Sequence, residues 1–143
     1  MPGAGKTTFY RLRFAATHTH VSKDLWPHAR ARDTRQCRAI DESLASGRSV
    51  VVDNTNPTIA DRAAIAAVAR GRGARVVGYF FDVPTRVAIA RNEGRTGREK
   101  VPKVAIFTVA KRLERPMVSE GFDQLFRVEI GEDREFRVSE MTG

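Results

Sequence analysis

The chain opens Met1-Pro2-Gly3-Ala4-Gly5-Lys6-Thr7-Thr8, and Gly5-Lys6-Thr7 closes the phosphate-binding loop pattern G-x-x-x-x-G-K-S/T. Each residue type there has a chemical reason. Gly3 and Gly5 let the backbone curl around Ala4 so that successive N–H groups face phosphate oxygens. The Lys6 ammonium reaches the β- and γ-phosphates, and the Thr7 hydroxyl can ligate Mg²⁺. From Thr8 to about residue 13 the chain continues as a helix whose positive N-terminal end faces the anion. The expected ligands are therefore ATP and Mg²⁺, with Gly3, Ala4, Gly5, Lys6, Thr7 and Thr8 as the nucleotide-binding candidates.

Outward from the loop, apolar residues alternate between short β-branched runs and helix-spaced stretches, the pattern of an α/β fold. Residues 49–53 (SVVVD) and 75–81 (RVVGYFF) are continuous apolar runs bounded by Gly47 and Gly73, as expected for parallel strands covered on both faces. Between them Asn56-Pro57 signals a helix start, and residues 58–72 offer Ile59, Ala63, Ile65, Ala66, Val68 and Ala69 for a buried face. Strand, helix and strand make a βαβ unit. Residues 18–22 read as a short strand and 33–46 as a helix ended by Gly47. Helices are expected over 84–92 and 104–114, separated by a Gly- and Arg-rich loop at 92–102, with late strands over 125–130 and 136–138. The expectation is a single P-loop NTPase domain over residues 1–143, a three-layer α/β sandwich on a parallel sheet, with a helical lid segment at about 84–114.

Composition narrows the class further. The 143 residues carry 25 Lys and Arg against 17 Asp and Glu, a formal charge of +8 that favours polyanionic partners. Hydrophobic residues at 41% and charged residues at 29% describe a globular chain and exclude the signature of disorder. No apolar run approaches the roughly 20 residues needed to cross a bilayer, so a soluble, cytoplasmic protein without a membrane partner is expected. The single cysteine, Cys37, excludes an internal disulfide and any Cys-cluster metal site. Positive charge is concentrated twice, at Arg30, Arg32, Arg35 and Arg38 and again at Arg91, Arg95, Arg98 and Lys100.

The pattern's first Gly would fall immediately before Met1, and the strand that should lead into the loop is missing from the chain. Either the start codon is set too far downstream or the central strand is truly lacking. The first is the expectation, because Met1 sits where an internal residue of the loop would sit. A sheet without that strand would expose unpaired edges, so the chain as given is expected to fold poorly.

Behind the loop, Phe9-Tyr10, His20-Val21-Ser22-Lys23-Asp24, Asp53-Asn54-Thr55-Asn56-Pro57, Phe81-Asp82-Val83-Pro84, Arg91-Asn92-x-x-Arg95, Val101-Pro102 and Ser119-Glu120-Gly121-Phe122 follow in order. That series resembles the kinase domain of the polynucleotide 5′-hydroxyl kinases, phage and animal types, cut within its phosphate-binding motif. The resemblance implies that Asp24 is the general base, a carboxylate that accepts the proton of an attacking hydroxyl. Asp33 is the rival carboxylate, but it precedes a helical pattern and reads as an N-cap. The same resemblance implies that Asp53 organises Mg²⁺, and that Asn54 and Thr55 orient groups beside it. It makes the 92–102 loop a lid bringing Arg91, Arg95 and Arg98 to the phosphates, with Lys6 and Arg95 as catalytic cations.

Arg35 and Arg38 would flank the acceptor, positioning a strand through its phosphates without reading its sequence. Residues 25–31 (LWPHARA) depart from both family types and are longer, though Trp26 and His28 could stack on an acceptor base. The three histidines have no metal-ligand spacing. No Asp-x-Asp-Gly-Thr run occurs, so the 3′-phosphatase domain of several family members is not expected. The implied reaction is transfer of the ATP γ-phosphate to a hydroxyl, the 5′-end of a nucleic acid. A small-molecule phosphotransferase of the same superfamily and a nucleotide-binding remnant without activity stay open as alternatives.

Overall fold

The computed structural model describes residues 5–93, 103–131 and 135–142. In order these form α1 (Lys6–Arg13), β1 (His18–Val21), a 3-10 turn (Lys23–Leu25), α2 (Arg32–Ala45), β2 (Ser49–Val52), α3 (Ile59–Gly71) and β3 (Val77–Phe81). Then come α4 (Thr85–Glu93), α5 (Lys103–Arg112), a further 3-10 turn (Val118–Glu120), β4 (Gln124–Ile130) and β5 (Phe136–Glu140).

The α/β alternation and the parallel pairing are those expected. β1 lies parallel to β2, with His18 opposite Ser49 and Val21 opposite Val52. β3 lies parallel to β4, with Phe81 opposite Val128, and β5 returns antiparallel on the other edge of β4. The distribution differs from one continuous sheet: β2 and β3, the two ends of the strand–helix–strand unit, stand in separate sheets. Among the described residues nothing pairs with the second edge of either strand. Full cover on both faces is not reached either, since β2 is only half-buried while β3 sinks into the core at Phe80 and Phe81.

Helix α1 holds the two sheets together. Gly5, at φ +92°, turns the chain into it in the left-handed region that glycine enters without a Cβ penalty. On one side Phe9, 3% exposed, meets the rings of Tyr79, Phe81 and Phe136 at 5.2–5.4 Å between centroids. Edge-to-face contacts of this kind add to area burial because each ring's positive edge meets a negative face. With Phe81, Val83 and Val128 this ring forms the core over the second sheet. On the other side Tyr10 stacks on His20 of β1 at 4.4 Å and its hydroxyl donates to the His18 carbonyl.

The start of α3 falls two residues past the Asn56-Pro57 signal. Asn56 adopts φ +37° and turns the chain, and Thr58 caps the helix in a reciprocal box with Asp61. Arg62, one turn into α3, then fastens the segment returning from α5. Its guanidinium donates to both Glu120 oxygens at 3.0 and 3.1 Å and to the carbonyls of Asn56, Pro57 and Glu114. The motif residues Ser119-Glu120-Gly121-Phe122 therefore serve the fold: Glu120 anchors Arg62, and the Gly121 carbonyl accepts from Arg70. Asp82 behaves likewise, held by the Arg127 guanidinium at 2.7 Å.

Candidate active site

Three chain ends meet at the carboxyl side of the first sheet: the start of α1, the exit of β1 and the exit of β2. Thr7 and Asp53, 46 residues apart, are joined there, the Thr7 hydroxyl donating to Asp53 Oδ2 at 2.8 Å. His20 Nε2 stands 3.0 Å from the same oxygen. Asp53 is 9% exposed, and its N–H extends the parallel ladder by donating to the Val21 carbonyl. The two candidate metal ligands are thus brought side by side at a helix N-terminus. That donor set, one hydroxyl and one carboxylate, fits Mg²⁺, which keeps several waters and takes few protein oxygens. Among the described residues no group of three or more His, Cys, Asp or Glu could hold a metal. Lys6 begins α1 beside Gly5, and Thr8 is exposed on its first turn. Gly3, Ala4, Arg95 and Arg98 lie outside the described residues, as does the side chain of Arg91 in α4.

Asp24 sits in the 3-10 turn that follows β1, with an exposed carboxylate that takes part in no hydrogen bond or ion pair among the described residues. Asp33 is differently placed. Its carboxylate is paired with Lys23 Nζ, and the hydrogen bond and charge of that ammonium hold it below the usual carboxylate range. An acid held in its charged form by a paired ammonium is a poorer proton acceptor. Asp33 is also not the helix cap: α2 starts from Ala31 at φ +52°, and Asp33 lies within the first turn.

Asn54 is turned inward. Its Oδ1 accepts from the Lys23 N–H at 2.9 Å and from the Ser22 hydroxyl at 3.3 Å, while its Nδ2 donates to Gln36 Oε1. Thr55, half-buried, makes no side-chain hydrogen bond among the described residues. Gln36, 3% exposed on α2, escaped the sequence reading. The available signal was a polar residue one turn before Ile40 on the helix's buried stripe.

Beyond the turn, an open groove of about 570 Å³ is lined by Trp26, Arg30, Thr34, Arg35, Arg38 and Glu42. Arg35 lies over the Trp26 ring with its guanidinium carbon 4.9 Å from the centroid. The basic cluster divides here: Arg30, Arg35 and Arg38 line the groove, whereas Arg32 turns back to the Lys23 carbonyl. Among the described residues no helix is long and apolar enough to cross a membrane.

A family model described as an AAA domain matches residues 1–116. The fold is similar to that in the crystal structure of a gluconokinase from Sinorhizobium meliloti 1021. That match has a TM-score of 0.63 and 22% identity, and it covers 91% of this chain and 78% of that one.

Proposed function

The chain belongs to the AAA-domain family, and from that premise we propose that it is an ATP- and Mg²⁺-dependent kinase phosphorylating the 5′-hydroxyl of a polynucleotide. The observation that carries the reading is the placement of Asp24. A carboxylate with no partner among the described residues stands in the turn that leads from the strand beside the Thr7–Asp53 pair to a groove that presents three arginines and an indole. A nucleic-acid end offers the matching chemistry, phosphates for Arg35 and Arg38 and a base for Trp26.

In this reading Asp24 takes the proton of the acceptor hydroxyl as its oxygen bonds to the γ-phosphorus and the β,γ-bridging bond breaks. Bound Mg²⁺ supplies neutralisation of phosphate charge. Lys6 and the backbone N–H groups of Gly3, Ala4, Gly5 and Thr8 hold the nucleotide's phosphates, and Thr7 with Asp53 would hold the metal ion. The arginines in and just before the 92–102 segment, Arg95 first and then Arg91 and Arg98, are assigned to the charge developing on the transferred group.

The likeness to a gluconokinase favours a second reading, a small hydroxylated metabolite as acceptor. Radiolabelled ATP offered with DNA and RNA 5′-hydroxyl oligonucleotides and, separately, with gluconate decides between them. Label on the oligonucleotides is expected. Neutralising Arg35 and Arg38 together should raise KM for the oligonucleotide and flatten its salt dependence, leaving KM for ATP nearly unchanged. Label on gluconate alone would replace the polynucleotide reading by the second.

A further inference from the structure

The buried polar side chains of the described residues are Ser22, Gln36 and Asp53. Asp53 belongs to the site above, and the other two are joined through Asn54 into a path that ends at Asp24. Gln36 Oε1 accepts from Asn54 Nδ2. Asn54 Oδ1 accepts from the Lys23 N–H and from the Ser22 hydroxyl. Ser22 Oγ in turn accepts from the Asp24 N–H at 3.2 Å. The path crosses four segments: α2, the exit of β2, the exit of β1 and the 3-10 turn. We infer that Gln36, Asn54 and Ser22 form a part-buried relay that positions the turn carrying Asp24, making Gln36 a positioning residue for phosphoryl transfer.

The physical case rests on what else could hold Asp24. Its carboxylate is exposed and has no partner among the described residues, and a single 3-10 turn has weak hydrogen-bond geometry of its own. The turn is tied inward by two amides, Lys23 to Asn54 and Asp24 to Ser22, while its outer side is held at Lys23 by Arg32 and Asp33. Asn54 directly follows Asp53, so one side chain ties the proton acceptor to the acid beside Thr7. Gln36 keeps Asn54 in the orientation that offers Oδ1 to the turn, because its own oxygen takes the amide nitrogen. An apolar residue would fill the same stripe of α2 beside Ile40 without orienting anything, and a buried amide there is costly unless bonded. This inference deepens the proposed function and rests on Asp24 as the base.

The test replaces Gln36 by Met in the full chain, a similar volume that cannot accept. Amide exchange at Lys23 and Asp24 should accelerate by about tenfold or more, while exchange at Ile40 stays as it was. With ATP–Mg²⁺ and a 5′-hydroxyl oligothymidylate, kcat should fall by about tenfold or more and KM for ATP should hold within about twofold. In an Asp24→Asn background the same replacement should cost nothing further, because both changes remove one function. Ser22→Ala, which deletes the acceptor of the Asp24 amide and one of the two donors to Asn54 Oδ1, gives the same pattern should Gln36→Met fold badly. Unchanged exchange at Lys23 and Asp24, or additive losses in the double variant, would overturn the relay. An Asp24→Asn protein with full kcat would instead overturn the base assignment and the relay's catalytic role with it. If the unaltered protein labels no oligonucleotide, the acceptor reading fails, and the exchange measurement decides the relay alone.

Discussion

Replacing Arg62 by Met should remove a large share of the protein's stability. Arg62 and Glu120 have side chains only 12% and 9% exposed, so the ion pair is largely withdrawn from water. Truncating one partner of such a pair leaves an uncompensated buried charge, a loss of about 3–5 kcal/mol. Three backbone carbonyls, those of Asn56, Pro57 and Glu114, lose the Arg62 donor in the same step, although Pro57 still accepts from the Glu114 N–H. Two features pull the loss toward the lower end. Glu120 Oε2 still accepts from the Met117 N–H at 2.9 Å, and the small cavity beside Arg62, about 30 Å³, can admit a water to the freed oxygens. The expectation is therefore about 3 kcal/mol, a substantial part of the 5–15 kcal/mol typical of a domain. Urea unfolding measures it as a lower midpoint at unchanged slope. The double variant Arg62→Met with Glu120→Leu, which buries no charge, should recover much of the loss. A loss under about 1 kcal/mol in Arg62→Met would show that the pair is solvated in solution and that the segment after α5 is fastened otherwise.

Asp24→Asn should lower kcat by about 10² or more and leave KM for ATP in place, and steady-state kinetics with near wild-type kcat would return Asp33 to consideration. Lys6→Ala should impair both ATP use and turnover, since that ammonium serves the phosphates; loss confined to kcat would argue against it. Gly78→Ala should lose about 1–3 kcal/mol, because an added Cβ would stand 2.7 Å from Phe122 Cε1 and 2.8 Å from Leu125 Cδ1. A thermal midpoint unmoved by that substitution would contradict the packing of β3 on β4. Lys23→Met should let the Asp33 carboxyl rise toward its ordinary value, read by NMR titration. The sign follows from the depressed carboxyl: the pair's contribution is present above the ordinary carboxylate pKa and is lost as pH falls through the lowered one, so the variant should be less acid-sensitive there. An Asp33 titration identical in both proteins would remove the Lys23 pairing.

Much of the architecture was legible locally. Gly5-Lys6-Thr7 announces its left-handed turn and helix because those features depend on a few adjacent dihedrals. The apolar runs at 49–53 and 75–81 announce strands because β-branched side chains pack on a pleated surface. Element ends shifted by one or two residues where a cap decided them, as Thr58 and Asp61 did for α3. The candidate site was legible as residue types, and Thr7, Asp24, Asp53, Arg35 and Arg38 are all found around one end of the first sheet and its adjoining groove.

The set of groups and the order of elements follow from chemistry between near neighbours along the chain, so both can be read without coordinates. Which groups meet is settled by the packing of distant segments. Thr7 finds Asp53 across 46 residues and Arg62 finds Glu120 across 58, and Gln36 finds Asn54 from a different helix. Lys23 meets Asp33 from the turn before α2, and β2 is separated from β3 by the span that α1 bridges with Phe9 and Tyr10. Distances of that kind depend on how whole helices and sheets pack, and packing is fixed by shape and burial summed over the molecule rather than by any local pattern.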